Sequence, residues 1–329
     1  MRKALICVLC CALLSSCGTA QKEARTRDIF AMDTLMNLKV YDGDDEALTL
    51  AEEEINRIDK LLDRGKSESE IYRINTEKNA LVSDETAALI KKSLDVSKKT
   101  DGAFDITVAP LMDLWGFYTK DFRRPTEEEI AEVIKSVGYD KIEINENRVT
   151  IPENTAIDLG GIAKGYTSDR VSALLREHGV TSAIISLGGN VYAIGKKIDG
   201  TDWTVGITNP VSPSEIIATV KVCDKAVITS GGYQRYFEWD GKVYHHILNP
   251  RTGTSAESGL ASVTIISPDG TDADALSTSL FVMGLDNASK FWRENKNFDA
   301  VFVDSEDKLY ITEGIADSFQ SDFEYTVIR

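Results

Sequence analysis

The sequence predicts an α+β fold, with mixed or antiparallel sheets and flanking helices forming a single two-lobed catalytic domain. Three observations predict it. Helical periodicity is concentrated in the first half of the chain. Short strand-like runs bounded by turn residues dominate the second half. Only two helices fall between strands, which is too few for a regular strand–helix alternation and its parallel sheet. No internal repeat, low-complexity segment or linker follows residue 28.

From the N-terminus, Met1-Arg2-Lys3 is followed by an apolar run, Ala4 to Leu14, and then by Leu14-Ser15-Ser16-Cys17. A charged start, an apolar stretch and small residues are the parts of a signal peptide, here residues 1–16. The apolar run is too short to stay in a bilayer, and no later stretch approaches the roughly 18 apolar residues a spanning helix needs. Leu-Ser-Ser-Cys resembles the bacterial lipobox, whose cysteine is diacylated and becomes the mature N-terminus; an ordinary secretory signal cut elsewhere is the alternative. The expectation is therefore an exported, membrane-anchored lipoprotein with lipid on Cys17. Hydrophilic residues 17–27 then form a tether to a catalytic body over residues 28–329.

Within that body, apolar residues at three- and four-residue steps from Ala47 to Leu62 mark a core-facing helix. Asp84 to Lys99 reads the same way and stops before the turn Thr100-Asp101-Gly102. Thr126 with Glu129 is a capping pattern opening a helix to Val137, ended by Gly138. Two further helices are expected over Ile162–Glu177 and Ala273–Val282. Strands are expected at Thr34–Tyr41, Lys141–Asn145, Arg148–Ile151, Ser182–Leu187, Asn190–Ile194, Thr204–Ile207, Ile217–Val222, Ala226–Ser230, Val243–Leu248, Ala261–Ile266, Ala300–Val303 and Leu309–Thr312.

Of five cysteines, Cys7, Cys10 and Cys11 leave with the signal and Cys17 carries lipid, so Cys223 alone remains and no internal disulfide forms. Stability must come from a hydrophobic core, for which a body of about 300 residues is ample. A net charge of -16 without any basic block argues against a nucleic-acid partner.

Chemistry is concentrated in a few segments. Asp158-Leu159-Gly160-Gly161-Ile162-Ala163-Lys164-Gly165 joins a strand end to a helix start. Free N–H groups and the helix dipole there favour a phosphate, and Lys164 in the first turn adds a cation that does not help the helix itself. A plain strand-to-helix turn with a solvated lysine fits the segment equally. Ser186-Leu187-Gly188-Gly189-Asn190 suits a tight hairpin. In Ser230-Gly231-Gly232-Tyr233-Gln234-Arg235-Tyr236-Phe237, the aromatics either stack on a ring system or fill a core. Trp115-Gly116-Phe117-Tyr118, after Asp101 to Asp105, leaves the same two readings. His245 and His246 face opposite ways on a strand, so one can act as a base; no cysteine or third histidine lies nearby to make a zinc site. Asp274 and Thr278, one helical turn apart, suit magnesium, while Thr271 or Asp272 as helix cap, with Thr278 packed inside, explains the same residues.

The ordered set Met32-Asp33-Thr34, Asp101 to Asp105, Asp158 to Gly165, Ser186 to Asn190, Ser230-Gly231 with Tyr236, His246 to Gly253, and Asp274 with Thr278 resembles the ApbE family of FAD:protein FMN transferases. The resemblance runs from residue 28 to residue 320. It implies transfer of FMN from FAD to a threonine or serine hydroxyl of a target flavoprotein, possession of a magnesium site, and AMP as leaving group. The acceptor class includes subunits of membrane redox complexes. By this resemblance Asp274, Thr278 and the Gly161 carbonyl hold the metal and His246 is the base. Met32, Ala103, Phe104, Asp105, Asp158, Lys164, Ser230, Tyr236 and Leu248 contact FAD. The chain departs from the family pattern at Asp33, where glycine is usual, and at Gly65, where an aromatic is usual. A pyrophosphatase that uses water in place of the protein hydroxyl, and a lipoprotein that only binds flavin, are the competing readings.

Overall fold

The computed structural model describes residues 24–329; the expected signal peptide and Cys17 lie outside the described residues. The chain begins with a hairpin of β1 (Arg25–Ala31) and β2 (Thr34–Val40). Met32 and Asp33 form its turn with φ of 50° and 58°, the twist-matched two-residue turn that asparagine, aspartate or glycine accepts best. β1 was not expected. It reaches back into the hydrophilic stretch read as tether, because an edge strand can carry charges outward while Ile29 and Ala31 are buried.

α1 (Asp45–Leu62) is capped by Asp44, whose side chain accepts from the Ala47 N–H at 2.9 Å. Its inner face is Ala47, Leu48, Ala51, Ile55, Ile58 and Leu62. A helical lobe follows: α2 (Glu70–Glu77), β3 (Asn79–Leu81), α3 (Asp84–Lys99), α4 (Ala109–Leu114), α5 (Glu127–Val133), β4 (Glu143–Asn145) and β5 (Arg148–Thr150). Here β3, β5 and β4 make a three-stranded sheet over a core that includes Ile71, Ile74, Ile90, Phe104 and Ile157. α2, β3 and α4 escaped the periodicity reading because each is shorter than the window over which a period can be recognised. The capping box at Thr126 and Glu129 is present, but the helix gives way after Val133 to a 3-10 turn, Ile134–Ser136.

The second half supplies α6 (Ala163–Glu177), β6 (Ser182–Leu187), β7 (Asn190–Gly195), β8 (Trp203–Thr208), β9 (Ile216–Val222), β10 (Lys225–Gly231), β11 (Tyr236–Trp239), β12 (Lys242–His245), β13 (Leu260–Ser267), α7 (Gly270–Glu294), β14 (Asp299–Asp304), β15 (Leu309–Thr312), β16 (Phe319–Gln320) and β17 (Tyr325–Ile328). Nine strands form the main sheet in the order β1-β2-β6-β7-β10-β13-β14-β15-β17. Every pairing in it is antiparallel except β15 with β17. Both faces are covered. On β14, Ala300 and Phe302 join the core under α1, α6 and α7, whereas Val301 and Val303 face the small sheet β16-β9-β8. Period-two alternation thus feeds two separate cores.

α6 crosses α7 closely enough that a Cβ on Gly165 would lie 2.1 Å from the Gly270 carbonyl oxygen. α7 runs well past the expected Val282 and bends at Gly284, where φ is +75°. Its N-terminus is capped by Asp269, not by Thr271 or Asp272, and Asp169 of α6 accepts the Gly270 and Thr271 N–H groups, both at 2.8 Å. Among the described residues no helix is long and apolar enough to cross a membrane.

Candidate active site

The helix crossing builds the first part of the site. Asp274, only 5% exposed, accepts hydrogen bonds on both carboxylate oxygens, from the Gly165 N–H at 2.8 Å and from the Asn190 amide at 3.1 Å. The Gly165 N–H would ordinarily bond the carbonyl four residues back, that of Gly161. Diverted to Asp274, it leaves the Gly161 carbonyl with no hydrogen-bond donor among the described residues. Thr278 stands beside it: its hydroxyl lies 4.0 Å from where a Cβ of Gly161 would be, and 3.1 Å from the Ser230 hydroxyl, which also bonds Ser277 at 2.7 Å. A buried carboxylate, a hydroxyl and an orphaned carbonyl are hard oxygen donors, few in number, as a magnesium ion that keeps waters or phosphate oxygens would use.

The phosphate cradle expected at the start of α6 is therefore partly committed to the protein itself. Gly165 serves helix contact and Asp274, and the Gly160 N–H turns back to Asp158 at 2.7 Å. Lys164 remains directed at open space, lining two cavities of about 410 and 200 Å3. The larger contains Met32, Leu62, Arg64, Tyr118 and Ala163. The smaller contains Ala103, Phe104, Asp105, Gly161, Ser230, His246, Leu248, Asp274 and Thr278. Asp158 lies where they join, held by the Arg64 Nε–H at 2.8 Å, and Arg64 is also forked onto Asp113 at 2.5 and 3.0 Å.

The two departures from the family pattern have local explanations. Asp33 sits at a positive φ that glycine adopts freely and aspartate tolerates, and it pairs with Lys120 at 2.8 Å. At Gly65, a Cβ would lie 1.8 Å from the Tyr118 hydroxyl. The Tyr118 phenol thus fills the volume of a residue-65 side chain, with the Arg64 guanidinium 3.8 Å from its ring centre. An aromatic ring still walls the cleft, supplied from another segment. Its neighbours Trp115 and Phe117 are 1% and 0% exposed and belong to a core with Leu111, Tyr244 and Leu248.

His246 follows the end of β12, where the expected strand to Leu248 has already given way to a turn; Leu248 keeps only a single bridge to Ser255. The alternation of the two histidines holds: His246 lines the cleft, whereas His245 packs edge-on against Phe281 on the other side. The His246 Nδ1 lies 3.1 Å from the Arg235 carbonyl. A carbonyl can only accept, so Nδ1 carries the proton and Nε2 keeps its lone pair. Desolvation first, and then the Arg235 guanidinium, push its pKa down to about 3, so the imidazole is neutral.

Two expected ligand contacts change. Tyr236 is outside the cleft, 52% exposed, and lines a separate cavity with Val211, Tyr233 and Val243. Its side chain leaves the opposite face of the hairpin from Phe237, which joins the aromatic core. Asp105 lines the cleft but spends its carboxylate on the Thr107 N–H and hydroxyl and the Tyr139 N–H, at 2.8, 2.6 and 2.8 Å. Burial raises its pKa against those bonds. Sequence reading did not single out Arg64, Asn190 or Arg235 as cleft residues, although Asn190 and Arg235 lay within quoted segments; only Arg64 had no motif. Of the Trp115–Tyr118 aromatics, read as ring pocket or core, Tyr118 lines the cleft while Trp115 and Phe117 fill a core.

Comparison with known proteins identifies the family. The model of the ApbE family matches residues 32–302. A FAD:protein FMN transferase of Klebsiella pneumoniae (strain 342) is 33% identical over 273 residues, 81% of this chain and 84% of that protein. One of Treponema pallidum (strain Nichols) is 30% identical over 95% of this chain and 93% of its own length. Among solved structures, the ApbE protein of Thermotoga maritima superposes with a TM-score of 0.83 at 34% identity, covering 89% of this chain and 98% of that one. The flavin transferase ApbE from Vibrio cholerae gives 0.80 at 27% identity, covering 90% and 99%. Matched over most of its length by the family model, by relatives and by solved structures, the chain belongs to the ApbE family.

Proposed function

We propose that this chain is a magnesium-dependent FAD:protein FMN transferase, which attaches FMN through a phosphoester to a threonine or serine hydroxyl of a target flavoprotein and releases AMP. The observation that carries the reading is the meeting of two cavities at Lys164, with the Asp274, Thr278 and Gly161 oxygens and the His246 ring on the walls of one of them. Its relatives' shared name supports the same activity.

His246 Nε2 takes the proton of the acceptor hydroxyl as its oxygen attacks the flavin-side phosphorus. The new P–O bond forms while the bond to the bridging oxygen breaks, and that electron pair leaves with AMP. Lys164 holds the phosphates in place. Magnesium, when bound by Asp274, Thr278 and the Gly161 carbonyl, neutralises charge on the pyrophosphate. Met32, Tyr118 and Leu62 offer an apolar wall for one ring system, and Ala103, Phe104 and Leu248 another.

The test is to incubate the protein with FAD, magnesium and a soluble flavoprotein fragment carrying the acceptor threonine. AMP release matched by a covalently fluorescent fragment on a denaturing gel is expected, with chelation by EDTA abolishing both. AMP without labelled fragment would make the protein a pyrophosphatase, and FAD binding without AMP a flavin carrier.

The reading extends to the cell surface. Leu14 to Cys17 supports an exported enzyme anchored by lipid, facing acceptors such as redox-complex subunits at the same membrane. Replacing Cys17→Ala should move the protein from the detergent-rich to the aqueous phase on detergent partition; unchanged partitioning would remove the anchor from the proposal.

A further inference from the structure

Five residues line both cavities: Tyr118, Asp158, Gly160, Lys164 and Arg235. Two of them are cations from segments distant in sequence, Lys164 in the first turn of α6 and Arg235 in the loop between β10 and β11. The chain has 53 acidic residues against 37 lysines and arginines, an excess that opposes anion binding unless cations are gathered locally. Around this same opening Arg64 pairs with Asp113 and Asp158, Lys66 with Asp59, and Lys120 with Asp33. Lys164 and Arg235 form no ion pair among the described residues. Two unpaired cations facing one junction in an acidic protein fit a ligand that brings its own negative charge.

FAD has that form: two flat ring systems joined by a pyrophosphate with one negative charge on each phosphate. With a ring in each cavity, the pyrophosphate would lie at the junction that Lys164 and Arg235 both line. Resting on the transferase reading, we infer that Arg235 is a catalytic residue whose guanidinium grips the pyrophosphate from the hairpin side, together with Lys164. As the acceptor oxygen bonds to the flavin-side phosphorus, negative charge collects on the bridging oxygen and the departing AMP phosphate. A planar donor pair meets that charge without being deprotonated. The Arg235 backbone carbonyl meanwhile holds His246 Nδ1, so one residue carries the phosphate clamp on its side chain and the base's support on its main chain. A side-chain substitution leaves that carbonyl in place; it also removes the charge that helps hold the His246 pKa down, so the binding comparison of FAD with riboflavin, which does not involve the base, is what isolates the phosphate clamp.

The experiment compares wild type, Arg235→Ala and Arg235→Lys, measuring AMP release from FAD with magnesium and the flavoprotein fragment. Binding of FAD and of riboflavin is followed separately by flavin fluorescence. Arg235→Ala should lose about 10²–10³-fold in kcat/KM and weaken FAD but not riboflavin, which has no phosphate. Arg235→Lys should fall between, and added guanidinium ion should restore part of the Arg235→Ala activity. An Arg235→Ala enzyme within about twofold of wild type, or one that loses FAD and riboflavin equally and gains nothing from guanidinium, overturns the assignment. An inactive wild type overturns the transferase reading itself, a result distinct from an active wild type matched by Arg235→Ala.

Discussion

Asp274 shows how a single side chain can serve structure and chemistry together. Its two oxygens tie the start of α6 to the β6–β7 turn, through Gly165 and Asn190, and the same diversion frees the Gly161 carbonyl. Asp274→Ala should therefore cost stability as well as activity, about 1–3 kcal/mol for the stranded donors, read as a lower denaturant midpoint. Asp274→Asn, which retains an acceptor, should keep most of the stability and still lose turnover. If Asp274→Asn turned over normally, the carboxylate would have no chemical role. His246 gives a prediction with a sign. A base works only unprotonated, and burial with the Arg235 charge lowers its pKa from the ordinary 6.5 to about 3. Activity should thus persist as pH falls through 6.5, and an acid limb of kcat/KM centred at 6.5 would contradict the buried, neutral ring. His246→Ala should lose about 10²–10⁴-fold in kcat at every pH, the usual range for a general base.

At the scale of elements, the glycines of the α6 start do different work from that read in the sequence. Gly165 looked like part of a phosphate loop; it is where α7 passes, with Asp274 Cβ 2.6 Å and the Gly270 oxygen 2.1 Å from an added Cβ. Gly165→Ala must push the helices apart, at a cost of about 1–3 kcal/mol, and carry Asp274 away from Asn190. A thermal melt and an FAD titration on that variant check it: a lower Tm together with weaker magnesium-dependent FAD binding is expected, and an unchanged pair of values would mean the crossing is looser than it looks. The β1–β2 and β6–β7 turns meet for a related reason. Gly188 lies so close to Thr34 that a Cβ would come within 2.5 Å of its hydroxyl, which sets Met32 against the cleft. Turn chemistry at Gly188-Gly189 was legible as a hairpin, but its contact with a turn 150 residues away is invisible to any local rule.

For the whole molecule, the cleft is the seam between the helical lobe and the main sheet, so ligand and fold should support each other. FAD at 100 times its Kd should add about 2.7 kcal/mol to stability with magnesium present, seen as a raised Tm; riboflavin, reaching only one cavity, should add less at equal concentration. The sequence by itself determined the α+β class, most strands of the main sheet, the helices α1, α3, α6 and α7, and the ordered set of motifs that identifies the family. It could do so because period-two and period-3.6 burial and turn residues are local properties. The motif did not show that Tyr236 lines a separate cavity, because side-chain direction along a short hairpin depends on register with its partner strand, which only folding sets. Only the tertiary structure decided that Tyr118 replaces the ring absent at Gly65, that Arg235 joins Lys164 on the walls of both cavities, and that Asp274 takes the Gly165 N–H that would otherwise bond the Gly161 carbonyl. Each is a contact between segments distant in sequence, fixed by how closely packed elements fill space.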